Sequence, residues 1–194
     1  MITCDRSQPR HYCDAYGTRY FSVSSILNVM HGQEHYGTVE DMARGTELHR
    51  LFAKMLTTGE LERESPYQAW MESVHPWVKQ AIVTDGCIQT EMTMVSMSSG
   101  IPFAGTVDLV RQAMNGTTII DLKTGVPARW HRVQVQAYDK LYTSVTGEKA
   151  TQLGILYAPH DVSRAPIYVP VKRNPRDVAA FCSALNLLIY RESL

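Results

Sequence analysis

Two strand-like runs separated by a short polar turn constrain the fold of this chain more than any other stretch. Residues 105–110 (GTVDLV) and 119–125 (IIDLKTG) are rich in aliphatic and β-branched side chains, which favour strands. The dipeptide Asn115-Gly116 lies between them and is typical of a two-residue type I′ turn. The sequence therefore predicts an antiparallel hairpin in which Met114 pairs with Thr117.

This hairpin register brings three charged side chains together. With that loop, Asp108 lies opposite Lys123 and diagonal to Asp121. Opposed residues point to the same face of a sheet, so two carboxylates and one ammonium group converge there. Charges within an apolar hairpin are costly unless they are paired or bound to a metal ion. We therefore expect the two carboxylates to hold one divalent cation.

A third strand, predicted over residues 88–97, adds another acidic side chain. If Ser99-Gly100 forms a two-residue loop, Glu91 lies opposite Asp108 on the face of the other carboxylates. A three-residue loop would turn Glu91 to the other face, because loop length sets the register. We favour the two-residue loop, which completes an antiparallel meander of three strands.

Helical patterns surround the meander. Thr38 and Asp41 form a capping-box pattern that begins a helix, and Gly59 predicts its end near residue 57. His49 lies at the edge of the apolar stripe of this helix, and Gly45, one turn earlier, leaves space beside it. Further helices are predicted over residues 66–84, 127–146 and 175–191, and further strands over 153–158 and 167–171.

Single residues predict some helix ends. Ser24 or Ser25 caps a short helix near the start of the chain. Pro127 suits the first position of the helix that ends at Gly147. Pro76 is expected to kink or break the helix over residues 66–84, because proline removes a backbone hydrogen bond.

Composition predicts one α/β domain over residues 1–194, with a mixed central sheet flanked by helices. The length suits a single domain, and no apolar run is long enough to span a membrane. The first residues lack the apolar core of a signal peptide, so we expect a cytoplasmic protein. Lys and Arg total 19 and Asp and Glu total 19, so nucleic-acid binding requires a local basic patch. The four scattered cysteines predict free thiols and no iron–sulfur cluster.

Five short motifs follow one another in the order and spacing of a known nuclease family. They are Gly45-Thr46-x-x-His49, Glu91, Gly105-Thr106-Val107-Asp108, Asp121-Leu122-Lys123-Thr124 and Gln134-x-x-x-Tyr138. Together they resemble the RecB-type branch of the PD-(D/E)xK nuclease superfamily. The match covers about residues 22–142, within a core of about 22–158. The entry segment 21–27 resembles that of small phage-encoded exonucleases and of the mitochondrial genome maintenance exonuclease.

The resemblance implies a restriction-endonuclease-like core and a role for each motif residue. The implied metal ligands are His49, Asp108, Asp121 and the backbone carbonyl of Leu122. Lys123 would be the catalytic lysine, and Glu91 an accessory carboxylate for a second ion or a bound water. The implied substrate contacts are Gln134 and Tyr138, and the nearest basic residues for further DNA contacts are Arg44, Arg129 and Arg132.

The function implied is hydrolysis of DNA phosphodiesters by a water that Mg²⁺ activates, with Mn²⁺ able to substitute. An exonuclease acting on DNA ends or single strands in recombination, repair or replication is favoured. An endonuclease of the same fold and an inactive DNA-binding or assembly module are the alternatives. Taken alone, Asp121 and Lys123 also fit a simple cross-strand ion pair, and His49 fits a packed helix histidine. The intact Asp-x-Lys motif argues against an inactive module.

Overall fold

The protein is an α/β structure in which helices pack on both faces of one mixed sheet, as the sequence predicts. The structure is a computed structural model that describes residues 2–5, 11–32, 38–83, 86–96 and 102–193. Within these residues the elements, in chain order, are β1 (Thr3–Asp5), β2 (His11–Cys13), β3 (Arg19–Ser22), α1 (Val23–His31), α2 (Val39–Thr58), α3 (Gln68–Val83), β4 (Gly86–Val95), β5 (Phe103–Ala113), β6 (Gly116–Lys123), α4 (His131–Thr146), β7 (Gln152–Tyr157), β8 (Ile167–Pro170) and α5 (Pro175–Glu192).

Strand β5 is the centre of the sheet. The strands follow the order β1-β2-β3-β5-β6-β7-β8, and β4 pairs with β5 outside this path. The parallel ladder between β3 and β5 ends at Ala104, and the antiparallel ladder between β5 and β6 begins at Leu109. Strand β5 therefore exchanges one neighbour for another between these residues. We call this place the sheet fork, and Asp108 lies in it.

The turn between β5 and β6 differs from the predicted one. Met114 and Asn115 form the turn, and Ala113 pairs with Gly116. Gly116 has φ +115°, and a Cβ atom on it would lie 1.8 Å from the Thr151 hydroxyl oxygen. This glycine is therefore needed as the first residue of β6, where the backbone passes close to a neighbour. A type I′ turn at Asn115-Gly116 was the wrong prediction.

The consequence for the site is a change of cross-strand partner. The observed register differs by two residues from the predicted pairing of Met114 with Thr117. A shift of two leaves every side chain on its predicted face, because side chains alternate with a period of two. Counted one residue beyond its last pair, Leu109 with Ile120, this register sets Asp108 opposite Asp121, where the sequence predicted Lys123.

The pairing of β4 with β5 confirms the predicted register. Met92 pairs with Val107, which places Glu91 opposite Asp108. The loop itself, residues 97–101, lies outside the described residues. Glu91 has φ +52°, in the left-handed region that costs a residue with a side chain about 1–2 kcal/mol. Such strained residues cluster at functional sites.

Two apolar cores hold the helices against the sheet. On one face, α1, α4 and α5 pack through residues that include Ile26, Leu141 and Phe181. On the other face, α2 and α3 pack through residues that include Phe52 and Trp70. The predicted apolar stripe of α2 is buried against the sheet. His49, at the edge of this stripe, is therefore held beside the sheet.

The ends of α1 and α2 follow from capping residues. Thr38 and Asp41 form the predicted capping box of α2, and Gly59 ends that helix with φ +73°. Helix α1 is capped by Ser22, whose hydroxyl accepts a hydrogen bond from the Ser25 backbone N–H at 2.9 Å. The prediction of Ser24 or Ser25 as the cap was wrong, because strand β3 ends earlier than the sequence suggests.

Neither Pro127 nor Pro76 marks a helix end in the structure. Helix α4 begins at His131 and not at Pro127, since residues 128–130 form a turn that the His131 N–H closes on the Ala128 carbonyl. Helix α3 continues through Pro76, whose exposed position leaves the lost carbonyl bond on the solvent side. Among the described residues, no helix combines the length and apolarity needed to cross a bilayer.

Candidate functional site

Asp108 joins the sheet fork to helix α2. One of its carboxylate oxygens accepts a hydrogen bond from the Leu122 backbone N–H at 2.6 Å, in place of a ladder bond between β5 and β6. The other oxygen lies 2.9 Å from Nδ1 of His49. Asp108 is 7% exposed, so these two contacts satisfy a carboxylate that is almost removed from water.

Asp121 and Lys123 form the second half of the site. Lys123 Nζ lies 2.7 Å from Oδ2 of Asp121, a residue that is 1% exposed. Apart from this ion pair, Oδ2 of Asp121 accepts no hydrogen bond from the described residues. A buried carboxylate oxygen with a single partner has unused capacity to bind a cation.

The donor set fits a divalent cation. Ligand atoms of His49, Glu91 and Asp108 all lie within 4.8 Å of one another. Carboxylate oxygens with one imidazole suit a small divalent ion that keeps several waters. Asp121 is not within this group of three, although its charge acts on His49 and the charge of Asp108 acts on it. The Leu122 carbonyl stays a predicted ligand.

Burial and mutual charge set the protonation of the site. Burial raises the pKa of Asp121 to about 6, since the ammonium group of Lys123 opposes this only in part and the charge of Asp108 adds to it. Burial lowers the pKa of His49, but the Asp108 carboxylate outweighs it and the net shift is upward. Burial alone would raise the pKa of Asp108, but the charges of His49 and Lys123 hold it below its ordinary value.

Mg²⁺ is expected to raise the melting temperature, and we expect this increase to become larger as the pH rises from about 5 to about 8. Without metal, the folded pKa of Asp121 exceeds its ordinary 3.8, so stability falls as the pH rises through about 6. The raised pKa of His49 acts in the same direction. Metal binding needs these groups deprotonated and therefore competes with protons. Melting curves in EDTA and in Mg²⁺ measure the difference. A metal-induced shift that is constant or larger at low pH would contradict this.

Gln134 and Tyr138 project from α4 beside Asp108 and Asp121. Gln134 Nε2 donates to the Tyr138 hydroxyl oxygen at 2.9 Å, which leaves the tyrosine hydrogen free to donate elsewhere. Burial, with the charges of Asp121 and Asp108, raises the pKa of Tyr138 well above its usual value. The tyrosine is therefore a permanent hydrogen-bond donor at neutral pH.

The two motif glycines are predicted to respond oppositely to alanine. A Cβ on Gly105 would lie 2.8 Å from the Tyr138 ring and 3.0 Å from Val23, so Gly105→Ala should cost about 1–3 kcal/mol. A Cβ on Gly45 meets only Thr124, at 3.8 Å, so Gly45→Ala should stabilise α2 by up to about 1 kcal/mol. Urea unfolding of both variants tests this. Equal changes in both free energies of unfolding would contradict the packing at Gly105.

The predicted basic contacts lie in different surroundings. Arg44 pairs with Asp41 on its own helix. Arg132 pairs with Asp177 at 2.9 Å, whereas Arg129 is exposed and has no ion pair among the described residues. Both Arg129 and Arg132 line a cavity beside the site, and Arg44 does not.

Sequence reasoning missed Tyr157, the last residue of β7. It pairs with Lys123 in the parallel register of β6 and β7, and it lines the same cavity as Arg129. No motif contains it. Its position at the end of the strand that follows the Asp-x-Lys strand could have indicated it. Ligand sites of α/β sheets lie at the carboxyl ends of parallel strands.

Comparison with known proteins supports the fold. No family model matches the sequence, and no curated protein sequence matches it. The structure is similar to that of a putative exonuclease from Eubacterium rectale, with a TM-score of 0.55, 14% identity, and coverage of 89% of this chain and 79% of that one. It also matches an alkaline exonuclease from Laribacter hongkongensis, with a TM-score of 0.41, 13% identity, and coverage of 89% and 87%. The chain therefore shares the fold of the putative exonuclease from Eubacterium rectale.

Proposed function

We propose that this protein is a divalent-metal-dependent deoxyribonuclease that hydrolyses phosphodiester bonds. The observation that carries the proposal is the convergence of His49, Glu91 and Asp108 within 4.8 Å, beside the buried pair of Asp121 and Lys123. Structural needs alone do not account for two buried carboxylates at a fork of an apolar sheet, since Asp108 and Asp121 each cost free energy when buried.

His49, Asp108 and Asp121 would hold the ion, and Glu91 would act on it directly or through water. Mg²⁺ is the proposed ion because hard oxygen ligands and retained waters suit it, and Mn²⁺ should substitute. When bound, such an ion lowers the pKa of a coordinated water and stabilises negative charge on the phosphate. The strained backbone of Glu91, at φ +52°, holds its carboxylate opposite Asp108.

Lys123 would be the charge-stabilising group. Its ammonium group is held by Asp121 at 2.7 Å, and its side chain is 18% exposed, so it meets both the buried acid and the solvent side. A fixed cation at the edge of a dry site stabilises the extra negative charge that develops on the phosphate during attack. Asp121 would thus both share the ion and orient the lysine.

Tyr138 supplies a second fixed donor. Gln134 occupies one acceptor site of the Tyr138 oxygen, so the hydroxyl hydrogen points to another partner. A phosphate oxygen of DNA is the proposed partner, because burial and the neighbouring carboxylates raise the pKa of the phenol and keep it protonated. Gln134 would act on the substrate through this tyrosine, as a positioning residue.

An exonuclease acting on DNA ends or single strands, in recombination, repair or replication, is the form of this activity that the motif resemblance favours. The test uses end-labelled linear and covalently closed circular DNA, single- and double-stranded, with Mg²⁺, Mn²⁺ or EDTA. We expect metal-dependent release of nucleotides from linear DNA and no cutting of circles. Cutting of circles would assign an endonuclease. Retention of DNA without cleavage under any metal would overturn the catalytic proposal.

A further inference from the structure

A cavity of about 530 Å³ opens between the start of α4 and strands β7 and β8. Four cationic side chains and one carboxylate line it: Arg129, Arg132, Lys172, Arg173 and Asp177. Its volume lies within the range of small-ligand sites, which is about 300–1,000 Å³. The cavity is therefore large enough for a nucleotide and carries an excess of positive charge.

The cavity and the proposed catalytic groups lie on neighbouring strands of the sheet. Ile155 and Tyr157 of β7 line it, and their partners in the parallel register are Asp121 and Lys123. Neighbouring strands lie about 4.8 Å apart, and partners in register share a face. A group bound over Tyr157 is thus one strand away from the lysine that would stabilise the reacting phosphate.

Two of the four cations are available to an anionic ligand. Asp177 lies 2.9 Å from Arg132, and Asp139 lies 2.7 Å from Arg173, so these charges are balanced. Within the described parts of the chain, neither Arg129 nor Lys172 has a carboxylate at ion-pair distance. Unbalanced cations beside a concave surface attract phosphate groups.

Tyr157 forms an aromatic wall of fixed orientation. Its hydroxyl lies 3.2 Å from Nδ1 of His131, and the two rings are 5.7 Å apart. The Ala128 backbone N–H also donates to this nitrogen, so Nδ1 is the acceptor and the tyrosine hydroxyl is the donor. Cationic grooves with aromatic platforms are the common means of binding single-stranded nucleic acids.

We propose that this cavity is a subsite for one unpaired nucleotide adjoining the cleaved phosphodiester. Its base would stack on Tyr157, and its phosphate would lie between Arg129 and Lys172. The inference rests on the proposed nuclease function and adds that the substrate strand is single-stranded at this point. A base pair contains two nucleotides, and one wall of the cavity is closed by the sheet, so a duplex does not enter.

The first test measures binding without cleavage. Labelled oligothymidylate and a blunt duplex of equal length are titrated with protein in EDTA, by fluorescence anisotropy at several salt concentrations. We expect tighter binding of the single strand. The double variant Arg129→Ala/Lys172→Ala should weaken it about tenfold and reduce the salt slope by about one. Lys140→Ala, which removes a cation elsewhere on α4, is the matched control and should bind as wild type does.

The second test separates stacking from a structural role. Tyr157→Phe keeps the ring and loses only the bond to His131, so it should bind the oligothymidylate nearly as wild type does. Tyr157→Ala removes the platform and should weaken binding about tenfold. Equal losses in both Tyr157 variants, or an equal loss in Lys140→Ala, would overturn the subsite. So would equal binding of the duplex.

The two proposals fail in different ways. A wild-type protein that cleaves no DNA with Mg²⁺ or Mn²⁺ removes the nuclease function, whatever the binding results. A wild-type protein that cleaves, together with an Arg129→Ala/Lys172→Ala variant that binds and cleaves equally well, removes only the subsite.

Discussion

Lys123→Ala and Asp121→Asn are each expected to lower the rate of DNA cleavage by at least two decades. The magnitude is that of removing a fixed group that stabilises charge in the transition state, about 10²–10³ in rate. Each substitution breaks the 2.7 Å ion pair from one side. Single-turnover cleavage of an end-labelled linear strand at saturating Mg²⁺ measures the effect on the chemical step.

The two substitutions are expected to change the stability of the protein in opposite directions. Asp121→Asn removes a buried charge whose pKa burial has already raised, so the metal-free protein should be as stable as wild type or more so. Lys123→Ala leaves that carboxylate without its cation and should lower the free energy of unfolding. Lys140→Ala serves as the control for loss of a lysine. A cleavage rate near that of wild type in either variant would remove that residue from the mechanism.

Asp108→Asn should abolish both cleavage and the stabilisation by Mg²⁺ while preserving the fold. The asparagine carbonyl can still accept the hydrogen bond of the Leu122 N–H, so the sheet fork stays closed. The charge that would hold the ion and that raises the pKa of His49 is lost. We expect a fall of at least two decades in rate.

Thermal unfolding separates this loss from misfolding. At Mg²⁺ of about a hundred times its Kd, binding stabilises a folded protein by about 2.7 kcal/mol. Wild type should show this gain, Asp108→Asn should not, and both should unfold cooperatively in EDTA. Asp161→Asn, on an exposed loop, removes an equivalent charge away from the site and should retain the gain. A full Mg²⁺ response in Asp108→Asn would show that the ion binds elsewhere.

Sequence patterns predicted elements whose causes are local. The capping box at Thr38 and Asp41, and the left-handed stop at Gly59, depend on a few neighbouring residues and were confirmed. The placement of Glu91 opposite Asp108 was also confirmed, since the pairs before and after it in the hairpin keep one constant register.

Features that depend on tertiary contacts were not predictable in the same way. The start of β6 is decided by Thr151, which is distant in sequence and leaves no room for a side chain on Gly116. The turn therefore moved by one residue along each strand, although the local dipeptide favoured another loop. Helix α3 continued through Pro76 because its buried face is packed by the sheet, which a local rule cannot include.

The motif residues were predictable as a set because their spacing, not any single one, carries the information. The cavity was not, because Tyr157 and Lys172 come from segments that meet only in the folded sheet. The cationic character of Arg129 was visible in the sequence, but the pairing of Arg132 with Asp177 was not. The burial of a cationic side chain and the identity of its ion-pair partner decide whether it is available to a ligand. Both are known only from the three-dimensional structure.

The proposed nuclease activity requires His49, Asp108 and Asp121 to bind one divalent ion at the sheet fork. Anomalous diffraction from crystals of the protein grown with Mn²⁺ tests it most directly, because the ion is located without reference to activity. We expect one manganese peak bonded to His49 and to carboxylate oxygens of Asp108 and Asp121, at about 2.1 Å from the oxygens. A fork without manganese, or an ion bound elsewhere with His49 still hydrogen-bonded to Asp108, would contradict it.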